Sequence, residues 1–408
     1  MIWQERWQRS MMTNYSTPPL MLVRGEGSRV WDSDGREYVD LIAGIAVNAL
    51  GHGHPGMKRA IEEQFAALGH TSNLYANLPS LALAERLLHL AGAPDGSRVF
   101  FCNSGTEANE AAFKLSRLTG RTEVIVADNG FHGRTMGSLA LTAQPGKQDP
   151  FRPLPGEVHC VEFGSTEALA AAVTSSTAAV IIEPIQGEGG VIVPPAGYLG
   201  AARQICDRAG ALLIMDEVQT GMGRTGTWFA FQQELTKESE PASGQGTWSG
   251  PDVITLAKGL AGGIPMGAVI AIGTAANLFK PGSHGSTFGG SPVAAAAAHA
   301  VVDAIIAEGL LDRARAIHER LVVELPAMSS GLVTAVRGRG LLLAAVLDAD
   351  CSGELETVAR EHGLLVNAVC GNAMRMAPAL TIRDVDLDLA MQRWAQACGA
   401  LVASREGR

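Results

Sequence analysis

The chain is poor in charge. Only 18% of its 408 residues are Asp, Glu, Lys or Arg, and no long run of lysine or arginine occurs. With a formal net charge of −9, it has no general attraction for nucleic acid or for an anionic membrane surface. The six cysteines, Cys102, Cys160, Cys206, Cys351, Cys370 and Cys398, form no C-x-x-C pair. A chain of this length does not need disulfide staples, so they read as reduced thiols and point to a cytoplasmic location. The opening MIWQERWQRSMM lacks the apolar core of a secretory signal, and the most apolar tract, 293–302, is too short to span a bilayer. No G-x-G-x-x-G follows the first strand of a βαβ unit, which argues against a nicotinamide dinucleotide. No Gly-Lys-Ser/Thr follows the Ser-Gly-Thr turn at 104–106, which excludes a P-loop there.

What is present is apolar and glycine-rich: 47% hydrophobic residues and 48 glycines. That suits a large core, more than one compact domain and the many tight turns of an α/β enzyme. Residues 22–42 alternate in short segments broken by glycine and predict a small antiparallel meander. Helical spacing covers 56–68 and 79–91. Strand-like runs then alternate with helical stretches: Arg98–Phe101, Glu123–Ala127, Ala178–Ile182, Ala211–Met215, Val253–Leu256 and Gly267–Ile272. This alternation predicts a mostly parallel central sheet covered by helices. The polar stretch 234–250 reads as a surface loop or mobile insertion. A long helix is expected from about 292, followed by a smaller α+β domain.

Ligands bind beyond the carboxyl ends of strands in open parallel sheets, so strand ends are where chemistry is sought. One strand ends on adjacent carboxylates, Asp216 and Glu217, in DEVQTGMGRTG. Burying such a charge alone costs several kcal/mol, so it needs water, a partner or a ligand. A second strand runs into Asn103-Ser104-Gly105-Thr106 at a helix start, where free N–H groups, hydroxyls and the helix dipole suit a phosphate. An ordinary N-cap would need only one of these residues. Phe131 and His132 offer flat rings for stacking, and Arg134 a planar fork for a carboxylate. EPIQGEGG places Glu183 and Glu188 at another strand end. Lys258 directly follows an apolar strand, where desolvation lowers a lysine pKa and frees the amine as a nucleophile. Ser286 and Thr287, bracketed by glycines, are further phosphate candidates. Taken together, a strand-end lysine, a strand-end carboxylate, phosphate donors and a ring-stacking group match the needs of pyridoxal phosphate. His52 and His54 in GHGHP lack a third ligand or an acidic cluster, and no metal site is expected there.

The motifs NSGTEANE (103–110), FHGRT (131–135), EPIQGEGG (183–190), DEVQTGMGRTG (216–226), LAKGLAGG (256–263) and HGSTFGG (284–290) occur in one order along the chain. In this the sequence resembles the class III (ω-amino-acid) aminotransferases over nearly its whole length, and within them the acetylornithine branch. The resemblance implies fold type I of the pyridoxal-phosphate transferases. It also implies an N-terminal segment, 1–45, packing with the small domain, a large coenzyme domain, 46–291, and a small C-terminal domain, 292–408. Carried over by position, Lys258 would bind the coenzyme and move the proton, and Asp216 would pair with the ring nitrogen. Gln219 would contact the ring hydroxyl, with Val218 and Phe131 on the two ring faces. Ser104, Gly105 and Thr106 would bind the phosphate, joined by Thr287 from the neighbouring subunit of a homodimer with shared sites. Arg134, with Ser286 nearby, would take the α-carboxylate of the amino donor. Glu188 and Arg375 would form a switch that opens for 2-oxoglutarate, and Tyr15 would contact substrate. Ile45 stands where ornithine-specific relatives carry an aromatic residue and would leave room for an acetyl cap.

The expected reaction is transfer of the δ-amino group of N2-acetyl-L-ornithine to 2-oxoglutarate. Succinylornithine, N-succinyl-diaminopimelate and ornithine are alternative donors. A decarboxylase or racemase on the same fold would have no need of Glu188 and Arg375, and a non-catalytic homologue no need of Lys258 and Asp216.

Overall fold

The computed structural model describes residues 2–235 and 248–406. Most of the polar 234–250 stretch, 236–247, lies outside the described residues. Its ends are close together, with Ser249 Oγ donating to the Leu235 carbonyl at 2.5 Å.

Seven strands form the central sheet: β1 (Arg98–Cys102), β2 (Glu123–Ala127), β3 (Glu157–Val161), β4 (Thr177–Ile182), β5 (Leu212–Asp216), β6 (Val253–Leu256) and β7 (Gly267–Ala271). Their spatial order is β1-β7-β6-β5-β4-β2-β3. The pairs from β6 to β3 are parallel, and β7 is antiparallel to both of its neighbours. Strands β4 and β5 are buried at every residue, which is why TAAVII and LLIMD read as continuous apolar runs. Strand β3 has no apolar run to announce it in the sequence. It lies at the sheet edge, and its EVHCV carries charge and partial exposure.

Apolar clusters fill both faces of this sheet. On one face lies the helix Gly105–Arg117, capped by the Ser104 side chain, which accepts from Glu107 N. Its Ala108, Ala111, Ala112 and Leu115 are buried against the strands. The expected long helix from 292 is two, Pro292–Ala307 and Leu310–Ala327. Gly309, at φ +61°, adopts the left-handed conformation that separates them. No single helix among the described residues is long and apolar enough to cross a membrane.

The meander is formed by Leu22–Glu26, Arg29–Asp32 and Glu37–Asp40, as its alternation predicts. A fourth strand, Leu364–Leu365, joins it in parallel from the far end of the chain. A third sheet contains Val333–Arg339, Leu342–Leu347, Ala373–Met376 and Asn367–Val369 in that spatial order. Val39, Leu41 and Leu50 share a core with residues from 301 to 401. Buried Asp386, on the C-terminal helix, accepts from Arg29 Nε at 2.6 Å.

Candidate active site

A cavity of about 400 Å³ opens at the carboxyl ends of β5 and β6. Ser104, Gly105, Thr106, Phe131, Arg134, Asp216, Val218, Gln219 and Lys258 all line it. The size is that of a small-molecule site.

Lys258 follows β6 after Ala257 and begins a short 3₁₀ turn at φ +41°. A left-handed conformation at a lysine stores about 1–3 kcal/mol of strain, which surrounding packing has to offset. Burial, aided by the Arg375 charge, lowers the ammonium pKa to about 8 against the pull of Glu183, Asp216 and Glu188. The amine is thereby brought toward its nucleophilic form near neutral pH.

Asp216 is buried and fixed from three directions. Oδ1 accepts from Val218 N at 3.0 Å, and Oδ2 accepts from Asn109 Nδ2 at 2.7 Å. His132 Nδ1 lies 2.7 Å from the same Oδ2. Burial depresses the His132 pKa, but the hydrogen bond and charge of Asp216 outweigh it, and the net shift is upward. A histidine held toward its charged form gives Asp216 a cationic partner. Asn109 and His132 were not assigned to this carboxylate from sequence. The available signal for Asn109 was a polar residue on the alanine-lined, buried face of a helix.

Glu217 has a different surrounding. It accepts from Phe231 N at 2.8 Å and from the Thr220 hydroxyl, and it does not line the cavity. Burial raises its pKa from an ordinary 4.5 to about 7, against the hydrogen bonds that favour the anion. The folded state therefore holds this proton more tightly than the unfolded state. The resulting penalty grows as pH rises from about 4.5 and levels off above about 7. Glu217→Gln keeps an acceptor for Phe231 N and removes the charge. Its stability relative to the wild type is expected to improve between pH 5 and 8 by up to about 3 kcal/mol. Parallel urea titrations at the two pH values check this, and a constant difference would refute it.

At the phosphate-type turn, neighbouring side chains pack on two glycines too closely for a Cβ. A Cβ on Gly105 would lie 2.7 Å from Val218 Cγ1, and one on Gly133 would lie 2.3 Å from Thr106 Oγ1. The Thr106 hydroxyl accepts from Arg134 N and Thr135 N, both at 3.1 Å, tying the FHGRT loop to the helix start. What Thr106 offers a ligand is its backbone N–H, one of the first-turn donors without a helical acceptor. Arg134 lies 5.8 Å and Lys147 5.3 Å from the centroid of the Phe131 ring.

Beside the cavity, Arg375 Nη1 donates to Glu188 Oε1 at 2.8 Å and to Gln219 Oε1 at 3.2 Å. Burial raises the Glu188 pKa, but the Arg375 charge and hydrogen bond outweigh it and hold the carboxylate below its usual range. Glu183 accepts from Phe131 N and Gly187 N, each at 3.0 Å. Ser286 joins the site's edge through a hydrogen bond from Asn103 Nδ2 at 3.1 Å. Tyr15, Ile45 and Thr287 are exposed and do not line the cavity. The residue from the Ala43–Ala46 neighbourhood that does line it is Val47. His54 caps the helix Pro55–Ala67 and His52 lies 3.3 Å from Asp40, so both have structural partners. No group of three metal-ligating side chains exists among the described residues.

The family model for class III aminotransferases matches residues 10–398. The chain belongs to this family. This class III aminotransferase is 56% identical over 385 residues to the acetylornithine aminotransferase of Mycobacterium tuberculosis (strain H37Rv), covering 94% of this chain and 93% of that one. It is 56% identical over 380 residues to the Streptomyces coelicolor acetylornithine aminotransferase, covering 93% and 91%. Among solved structures, N-acetylornithine aminotransferase from Stenotrophomonas maltophilia K279a superposes with a TM-score of 0.82 at 34% identity, covering 98% and 99%. Ornithine aminotransferase from Toxoplasma gondii superposes with a TM-score of 0.90 at 31% identity, covering 99% and 95%. The fold is common to enzymes of both names, so overall shape does not choose between their donors.

Proposed function

We propose that this aminotransferase moves the δ-amino group of N2-acetyl-L-ornithine to 2-oxoglutarate, giving N-acetyl-L-glutamate 5-semialdehyde and L-glutamate, as a step of arginine biosynthesis. Its coenzyme is pyridoxal 5′-phosphate. When bound, that group supplies an aldehyde that condenses with amines and a conjugated ring that accepts the electron pair left as a proton departs the substrate carbon. The donor set fits it: an amine of lowered pKa, a buried carboxylate in contact with His132, a stacking ring and a helix N-terminus share one cavity.

In this reading Lys258 attaches the coenzyme and afterwards carries the proton. Asp216 holds the ring nitrogen in its charged form, and Asn109 and His132 keep that carboxylate in place. Gly105 and Thr106 present N–H groups to the phosphate, with the Ser104 cap beside them. Val218 and Phe131 enclose the ring, and Gln219 takes its hydroxyl. Arg134 binds the α-carboxylate of the donor, with Ser286 at the edge. The observation that carries transamination over decarboxylation or racemisation is the Glu188–Arg375 pair beside Lys258. Closed, it withholds a cation from the donor; opened, it offers Arg375 to the second carboxylate of 2-oxoglutarate.

The acetylated donor is favoured by the carboxylates. Among the described residues lining the cavity these are Glu183 and Asp216, and both are already hydrogen-bonded. Neither is left for the α-ammonium of free ornithine, and an unpaired ammonium in such a site costs several kcal/mol. The kcat/KM for N2-acetylornithine is accordingly expected to exceed that for ornithine by at least about 100-fold. A preference for ornithine in the same assay would overturn the donor assignment.

We also propose a cytoplasmic homodimer in which the second subunit completes the site. Thr287 would reach the phosphate of the partner's coenzyme, and Tyr15 and Ile45 would face substrate across the interface. The support is an exposed apolar patch beside Thr287. Leu74, Tyr75, Leu78 and Phe288 are all more than half exposed, on two chain segments joined by hydrogen bonds from Asn73 to the carbonyls of Ser286 and Gly289. Patches of this kind mark interaction surfaces. The division into segments 1–45, 46–291 and 292–408 belongs to the same proposal.

A further inference from the structure

Arg375 and Asn367 are directly opposed on neighbouring antiparallel strands, so their side chains share one face of the sheet. Asn367 Oδ1 accepts from Arg375 Nη2 at 2.6 Å. On its other flank Arg375 opposes Ala344, which offers no polar side-chain group. The Asn367 amide is itself oriented. Its nitrogen Nδ2 donates to the Ala368 carbonyl at 3.4 Å, which leaves the oxygen facing Arg375. The guanidinium thus has three side-chain acceptors: Glu188, Gln219 and Asn367. Only Glu188 is charged. It also lies in a loop between Gly187 and Gly189, whereas Asn367 is fixed within a strand.

From this arrangement we infer that Asn367 is a positioning residue for the acceptor substrate, holding Arg375 aimed at the site without neutralising it while Glu188 withdraws. The inference rests on the Glu188–Arg375 switch proposed above. A neutral acceptor restrains the guanidinium and leaves its charge for an incoming carboxylate. An aspartate at 367 would pair with Arg375 permanently. An alanine would leave the long side chain restrained on one nitrogen only.

The test uses coenzyme-loaded wild type, Asn367→Asp and Asn367→Ala, with two readouts. The first is calorimetric binding of glutarate, which has both carboxylates of 2-oxoglutarate and no carbonyl to react. Affinity is expected to fall at least about tenfold in Asn367→Asp and about three- to tenfold in Asn367→Ala. The second is the single-turnover reaction with N2-acetylornithine, expected to change by less than about twofold, since that donor does not use Arg375. Unchanged glutarate affinity in both variants, or equal losses in both readouts, would overturn the role of Asn367. A wild type that reacts with glutamate but not with N2-acetylornithine would instead overturn the donor assignment. The glutarate comparison, which needs no reacting donor, would still decide Asn367.

Discussion

Lys258→Ala is expected to abolish transamination while leaving the fold intact. One side chain is asked both to attach the coenzyme and to move a proton. Since positioned proton transfer alone is worth about 10²–10⁴-fold, the combined loss should exceed about 10⁴-fold. Stability is not expected to suffer. The amine is buried enough to lower its pKa to about 8, so removing it relieves a desolvation cost rather than a stabilising contact. The left-handed backbone at 258 is no worse for alanine than for lysine. Purified variant protein should show no lysine-linked coenzyme absorbance and an unchanged thermal midpoint. Activity within about tenfold of the wild type would remove Lys258 from the chemistry.

Asp216→Asn is expected to lower kcat/KM by about 10²–10³-fold, in the range seen when one preorganised electrostatic group is removed. The substitution preserves shape and changes charge and hydrogen bonding. An amide NH₂ would face either Val218 N, in place of Oδ1, or both Asn109 Nδ2 and His132 Nδ1, in place of Oδ2, where a carboxylate oxygen now accepts. A readout independent of turnover is His132, whose pKa burial pushes down and Asp216 pulls up. Without that anion, the His132 resonance should titrate at lower pH than in the wild type, so less of it is protonated at a given pH. An unshifted His132 titration would show that the two residues are not coupled as their 2.7 Å contact implies.

The parts of the site that could be read in the sequence are those set by a strand end. Lys258 follows VITLA, Asp216 follows LLIM, and the Ser104 cap follows FFCN, so a local apolar run announces each one. What could not be read depends on contacts between distant segments. Asn109 is 107 residues from Asp216, and His132 is 84 residues from it. Nothing in the sequence around either residue specifies that partner. The doublet at 216–217 shows the same limit. Sequence raises the question of two adjacent carboxylates but cannot tell that one faces a cavity while the other binds a loop around Phe231. The fold follows this pattern. The interior strands were legible from their burial, whereas edge strand β3 lacks an apolar run. Leu364–Leu365 is too short to signal that it completes a meander more than 300 residues earlier.

The most direct test mixes the coenzyme-loaded protein with one equivalent of N2-acetylornithine and no keto acid, following the visible spectrum and the product. The expected result is loss of the lysine-linked coenzyme band within one turnover, with one equivalent of N-acetylglutamate semialdehyde formed. Adding 2-oxoglutarate should then restore the band and release glutamate. A bound coenzyme whose spectrum does not change with N2-acetylornithine, but does with free ornithine or another ω-amine, would contradict the assignment.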